Sequence, residues 1–188
     1  MFPPAPAFSN VRLATSSDVP RLGIVATAGF YYSPQFAWER AHHADYPHDT
    51  FLSYEKVFAE AIQRPKSIVI VVEDSYDPDE SSKTNATIEP NDDYVTPSRG
   101  DRVVVGIASW TLQPHSGREG QFTNLTDVDD TDWSKFTGGL ERDRDHTHLD
   151  ILHRELAKAE AECALCCPMD IQRLTCIDTS RETPLSIP

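Results

Sequence analysis

Few stretches of the chain carry side chains whose type and spacing suit chemistry. Asp127, Asp129 and Thr131 alternate as the first ligands of a calcium loop do. The sixth position is Asp132 and the twelfth is Gly138, where such a loop needs glycine and a bidentate glutamate. The segment therefore reads as a solvated acidic loop. Cys163, Cys166 and Cys167 follow His146, His148 and His153, and thiolate with imidazole suits zinc. Neither a second Cys-x-x-Cys pair nor a His arm is clear at the proper distance, and Cys163 falls on the apolar face of a helical pattern. No metal is expected. His42, His43 and His48 fall in a polar stretch and read as surface histidines. Pro114 stands two before Ser116, which rules out a G-x-S-x-G nucleophile elbow there. Phe30, Tyr31, Tyr32, Phe36 and Trp38 crowd around Pro34, which breaks the stretch, with enough ring surface to wall a substrate pocket or to fill a core.

The elements that must position these groups begin with two runs of β-branched residues. Ile68-Val69-Ile70-Val71-Val72 and Val103-Val104-Val105-Gly106-Ile107-Ala108-Ser109-Trp110 are apolar at odd and even positions alike. A strand apolar on both faces needs cover on both, so these read as central strands flanked by helices. Gly106 marks a bulge or a close approach. Thr15-Ser16-Ser17-Asp18-Val19-Pro20 is a helix start, with Val19, Leu22, Ala26 and Phe30 at helical spacing after it and Gly29 as a stop. Residues 50–63 and 140–165 carry further helical patterns, and 171–177 is a weak strand candidate. Between the two central runs, residues 75–101 hold Asp77, Asp79, Glu80, Glu89, Asp92, Asp93 and Asp101 against Lys83 and Arg99. Without apolar periodicity this insert reads as a disordered tip of an antiparallel hairpin.

Composition narrows the partners. The 188 residues fit one domain, taken as 1–165, with an irregular tail at 166–188. Acidic residues outnumber basic ones by 30 to 17, and the net charge of −13 argues against nucleic acid or an anionic membrane. It suits a cationic ligand. No apolar run approaches the roughly 20 residues of a membrane span. The opening Met1-Phe2-Pro3-Pro4 has no basic or apolar leader region, so the expected location is cytoplasmic.

Arg12-Leu13-Ala14-Thr15 with Asp18, Pro65-Lys66-Ser67 running into the first central strand, and Val104-Val105-Gly106-Ile107-Ala108-Ser109-Trp110 follow one another in a telling order. Strand, capped helix, aromatic loop, helix and hairpin together resemble the N-terminal half of the GNAT acetyltransferase superfamily, in the style of acyl-CoA N-acyltransferases of filamentous fungi. The resemblance implies an α/β (α+β) fold with a mixed, mostly antiparallel sheet, incomplete within this chain. It implies acetyl transfer from acetyl-CoA, as co-substrate, to a small-molecule amine or basic peptide. It points to Phe30, Tyr31, Tyr32 and Trp110 as substrate-binding residues and leaves the catalytic and cofactor-binding residues unassigned.

The superfamily holds the cofactor pyrophosphate on backbone N–H groups of a Q/R-x-x-G-x-G/A loop. Lys135-Phe136-Thr137-Gly138-Gly139-Leu140 has the basic residue and one glycine in place, but Leu140 replaces the second small residue; Ser116-Gly117-Arg118-Glu119-Gly120 has the wrong spacing. Weak acetyl-CoA binding by the chain alone is therefore expected. Self-association through an exposed edge of the second central strand is expected too. The alternative function is a non-catalytic binding or regulatory module that retains part of the acyltransferase fold.

Overall fold

The computed structural model describes residues 9–112, 117–122, 132–166 and 174–177. The two β-branched runs become β2 (Ser67–Ser75) and β3 (Arg102–Thr111), paired antiparallel with Ile68 opposite Trp110 and Val71 opposite Ile107. β1 (Val11–Leu13) lies against β2, with Val11 opposite Val72. β4 (Leu174–Ile177) lies against β3, with Ile107 opposite Ile177. The sheet thus runs β1-β2-β3-β4 with every pairing antiparallel, in an α+β fold. β4 corrects two expectations. The tail is not wholly irregular, and the edge of β3 is occupied from Ile107 to Trp110. The bulge signalled by Gly106 is real: Val72 faces Gly106 while Glu73 faces Val104, so β3 carries one extra residue at Val105.

Helices α1 (Val19–Phe30) and α3 (Pro47–Gln63) cover one face of this sheet. Val19, Leu22, Val25 and Ala26 of α1 and Phe58, Ala59 and Ile62 of α3 close over Val69, Val71, Val104 and Ile107. α1 is entered through Asp18, which accepts the Thr15 N–H at 2.7 Å, the Thr15 hydroxyl at 2.8 Å and the Arg12 guanidinium at 2.6 and 2.8 Å. α3 starts ahead of the expected Thr50 because Pro47, whose ring pre-sets a helical φ, takes the first position. The helices touch at Gly23. A Cβ there would lie 2.8 Å from Phe51 Cε2 and 3.2 Å from Glu55 Cγ, so only glycine admits this approach.

The opposite face carries Ile68, Ile70 and Trp110, and the described residues cover it less completely than the two-sided apolar pattern suggests. Among the described residues these side chains line a groove of about 550 Å³ together with Val11, Leu13 and Phe122. A short helix, α2 (Pro34–Glu39), occupies the aromatic stretch that reads as broken at Pro34. Pro34 opens that helix instead, and the Ser33 hydroxyl caps it by accepting the Gln35 N–H at 3.2 Å.

Residues 75–101, expected as a disordered tip, lie back against the helices. Glu80, in a 3-10 turn, takes two bonds from Arg21 at 2.5 and 2.7 Å. The Tyr32 hydroxyl donates to Lys83 O at 3.3 Å and accepts the Asn85 N–H at 3.2 Å. Polar composition predicts no core for this insert, and it forms none; partnered polar groups hold it.

A second strap, residues 132–145, crosses the start of α3. Gly138 and Gly139 adopt φ of 88° and 67°, and a Cβ on Gly138 would meet Lys56 Cδ at 2.5 Å. Beyond them Arg142 grips Asp49 through its backbone N–H at 2.9 Å and its guanidinium at 2.8 Å twice. Asp143 is fully buried, pairs with buried Arg40 and accepts the Thr50 hydroxyl at 2.7 Å. The last helix, α4 (His146–Cys166), starts later than the expected Leu140 because 140–145 are spent on these contacts. It docks on α2 through the His148 ring, stacked on Trp38 at 4.5 Å.

Two substitutions test this architecture. Gly23→Ala overpacks the α1–α3 crossing and should cost about 1–3 kcal/mol, read as a lower urea midpoint. Asp143→Ala strands the buried Arg40 charge and should cost about 3–5 kcal/mol. An unchanged midpoint for either would mean that these contacts do not hold the helices.

Candidate functional site

The four residues singled out in sequence do not converge. Phe30 stacks on Tyr54 at 5.5 Å and packs against the core. Tyr31 sits tilted against Phe36 at 5.6 Å and edge-on to His43 at 5.8 Å. Tyr32 is 60% exposed and serves the insert through its hydroxyl. Trp110 lies opposite Ile68, on the sheet face away from α1 and α3. The first three are neighbours at the end of α1, and the sheet separates them from Trp110.

A better-furnished place lies where the insert meets α3. A cavity of about 630 Å³ is lined by His48, Ile88, Glu89, Pro90, Asn91 and Asp92. His48, Phe51 and Glu55 follow helical spacing along α3 and so share one side of it. The His48 Nδ1–H donates to the Glu89 carbonyl at 2.9 Å, so in the neutral ring Nε2 is the acceptor; the ring lies over Phe51 at 6.2 Å. Behind the wall stands Glu55, only 2% exposed. Its Oε2 accepts the Asn91 side-chain N–H at 3.1 Å. Its Oε1 is buried with no hydrogen-bond partner among the described residues.

Burial pushes the Glu55 carboxyl up to about 7. The Asn91 bond pulls it back, Asp93 pushes it further up, and His48 and Lys135 pull it down. A carboxyl that titrates near neutrality in a recess behind a cavity can take or give a proton there. The lining brings Glu89 and Asp92 but no Lys or Arg, so the field favours a cation.

His43 corrects its surface assignment: it is buried. Its Nδ1 lies 2.9 Å from the Thr50 hydroxyl, whose one proton goes to Asp143. His43 Nδ1 must then donate, which leaves Nε2 as a buried acceptor with no partner among the described residues. Burial first, and the Arg40 charge second, lower its pKa against the pull of Asp143. This neutral histidine belongs to the buried network under the strap and lines no described cavity.

The nearest sequence match to a pyrophosphate loop is also accounted for. Residues 135–140 pack on Lys56 and Leu52 of α3, no helix opens at Gly139, and Leu140 is 74% exposed. The acidic Asp127, Asp129 and Thr131, with Pro114, Ser116 and Cys167, lie outside the described residues. Among the described residues, no three His, Cys, Asp or Glu side chains are grouped to hold a metal ion, and no helix is long and apolar enough to cross a membrane.

Glu55 went unread in the sequence, although a signal existed. It interrupts the apolar side of α3 between Phe51 and Phe58, at the spacing of a core residue. The cavity had no such signal, because residues 88–92 come from the insert.

No protein-family model matches the chain, and no solved structure matches it. The chain is 33% identical over 121 residues to a protein named acetyltransferase from Stachybotrys chartarum (strain CBS 109288 / IBT 7711). The match covers 64% of this chain and 43% of that protein, so the chain spans less than half the length of this relative.

Glu55 should leave a mark on stability. Its folded pKa of about 7 exceeds the ordinary 4.5, so between those values the folded state holds the extra proton and stability falls as pH rises. The loss amounts to roughly 3 kcal/mol in full. Glu55→Gln, which cannot ionise, should raise the melting temperature at pH 8 and leave it nearly unchanged at pH 4.5. Equal effects at both pH values would show that Glu55 does not titrate as its burial requires.

Proposed function

We propose that the chain forms the acceptor side of a GNAT-like N-acetyltransferase that moves an acetyl group from acetyl-CoA to a primary amine. The observation that carries this reading is the 33% identity to a protein named acetyltransferase. The element order β1-α1-α2-α3-β2-β3 and the antiparallel pairing of β1, β2 and β3 support it. In the reaction the amine nitrogen attacks the thioester carbonyl, the C–N bond forms as the C–S bond breaks, and the CoA thiol leaves. The proton lost by nitrogen passes to a base. The acidic balance of the chain, −13 overall, suits a small cationic amine or basic peptide and disfavours nucleic acid. On this reading the protein works in the cytoplasm.

The reading leaves the acyl donor's pyrophosphate to groups outside the described residues. Residues 135–140 are committed to α3, and the several converging N–H donors that a pyrophosphate needs are not assembled among the described residues by a glycine-rich helix start.

Two measurements test it. Acetyl-CoA should shift the melting temperature of this chain by less than about 1 °C, whereas a tight ligand at a hundred times its dissociation constant gives about 5–10 °C. A chimera in which this chain replaces the matched region of the Stachybotrys chartarum protein should release CoA thiol from acetyl-CoA when given primary amines and not when given the corresponding alcohols. A folded chimera that acetylates no amine would overturn the proposal.

A further inference from the structure

We infer that the cavity between α3 and residues 88–92 binds a protonated primary amine, whose ammonium group seats against Glu55 and expels the Glu55 proton to solvent. The inference deepens the acyl-acceptor reading by naming the acceptor's binding place, and it rests on that reading for its biological use.

The geometry supplies what an ammonium ion needs. Such a group carries three N–H donors and no acceptor, and once the Glu55 proton has left, Oε1 is a buried acceptor with no partner among the described residues. An orphan acceptor of this kind is costly until something donates to it. Asn91 both lines the cavity and donates its side-chain N–H to Oε2 at 3.1 Å. Displacing that amide breaks one hydrogen bond and opens the Glu55 carboxylate to the ligand. Ile88 and Pro90 offer apolar wall to the organic part of the amine, and about 630 Å³ is room for a small arylalkyl or alkyl chain.

Charge selects the sign of the ligand. Glu89 and Asp92 line the cavity, and Asp93 stands close enough to Glu55 to raise its pKa. Against them act His48, across the cavity on α3, and Lys135, from the second strap. On the α1 side Glu55 meets Gly23, which brings no charge. A carboxylate or phosphate would add to this acidic field, while an ammonium relieves it.

The step balances as an exchange. Glu55 enters as the neutral acid, the ligand enters as R–NH3+, and the complex holds R–NH3+ beside Glu55 carboxylate with one proton released to buffer. Desolvation is what keeps the carboxyl protonated in the empty site, and the seated cation removes that reason. Below neutral pH the binding constant should therefore fall about tenfold per pH unit, because the proton must leave before the cation pairs.

Calorimetry with phenethylamine at pH 6.5, in two buffers of different ionisation enthalpy, reads the exchange directly. The expected result for the native chain is release of about three quarters of a proton per amine bound, with no binding of phenethyl alcohol. Glu55→Gln should bind at least tenfold more weakly and release no proton, while His48→Gln should keep the release. A ¹³C titration of the native side-chain carboxyls needs no substitution: the Glu55 midpoint should drop by one unit or more with saturating phenethylamine. Amine binding without proton release, release that persists in Glu55→Gln, or an unmoved Glu55 midpoint overturns the inference and leaves the acyltransferase reading standing. Failure of the chain to bind phenethylamine at all also overturns it, and the chimera assay then judges the acyltransferase reading separately.

Discussion

The buried pair of Arg40 and Asp143 fixes the frame on which the site depends. Both groups are out of water, so neither tolerates loss of the other: a charge left unpaired in such a place costs several kcal/mol. Arg40 follows the end of α2 and also donates to the Ser53 hydroxyl of α3 at 3.0 Å, with its guanidinium over the Tyr54 ring at 4.5 Å. Asp143 lies on the strap and also takes the Thr50 proton. One ion pair thus locks three segments at the start of α3. Arg142 repeats the arrangement one residue earlier on Asp49. With these in place the first two and a half turns of α3, which carry His48, Phe51 and Glu55, have little freedom to shift.

A different constraint places Glu55. The α1–α3 crossing is close because Gly23 has no side chain, and the space is filled by Phe51 and the Glu55 methylenes. The carboxyl is thereby drawn out of water into a spot where Asn91 satisfies one oxygen only. A leucine or methionine would suit the packing better, since an acid with a raised pKa destabilises the fold at neutral pH. Ionisable groups whose pKa is shifted at a cost to stability cluster at functional sites.

The insert shows how polar sequence becomes part of a site. Residues 75–101 bring little apolar surface to a core. Their order comes from Arg21 with Glu80, Tyr32 with Lys83 and Asn85, and Asn91 with Glu55. Contacts of this kind are individually modest when they are part-exposed, so the segment can yield to a ligand more readily than the sheet beneath it.

Much of the scaffold was legible in the sequence because local physics dictates it. The β-branched runs had to be strands, their antiparallel pairing followed from the hairpin, and Asp18 with Pro20 announced α1. Gly106 foretold the bulge at Val105. What sequence could not decide were contacts between segments far apart in the chain. Pro34 reads as a breaker until Ser33 caps a helix behind it; His43 reads as a surface ring until Arg40, Thr50 and Asp143 close around it. Gly138 and Gly139 resemble half of an anion loop until Lys56 and Leu52 are found beneath them. The resemblance gives Trp110 and the aromatics at the end of α1 one role, but side-chain alternation along β3 sends Trp110 to the other face of the sheet. The Glu55 recess is wholly tertiary, since the proton affinity of a carboxyl is set by whatever surrounds it in space, and here that is Asn91 and Asp93 from a distant insert, Gly23 from a neighbouring helix, and His48 about two turns away on its own.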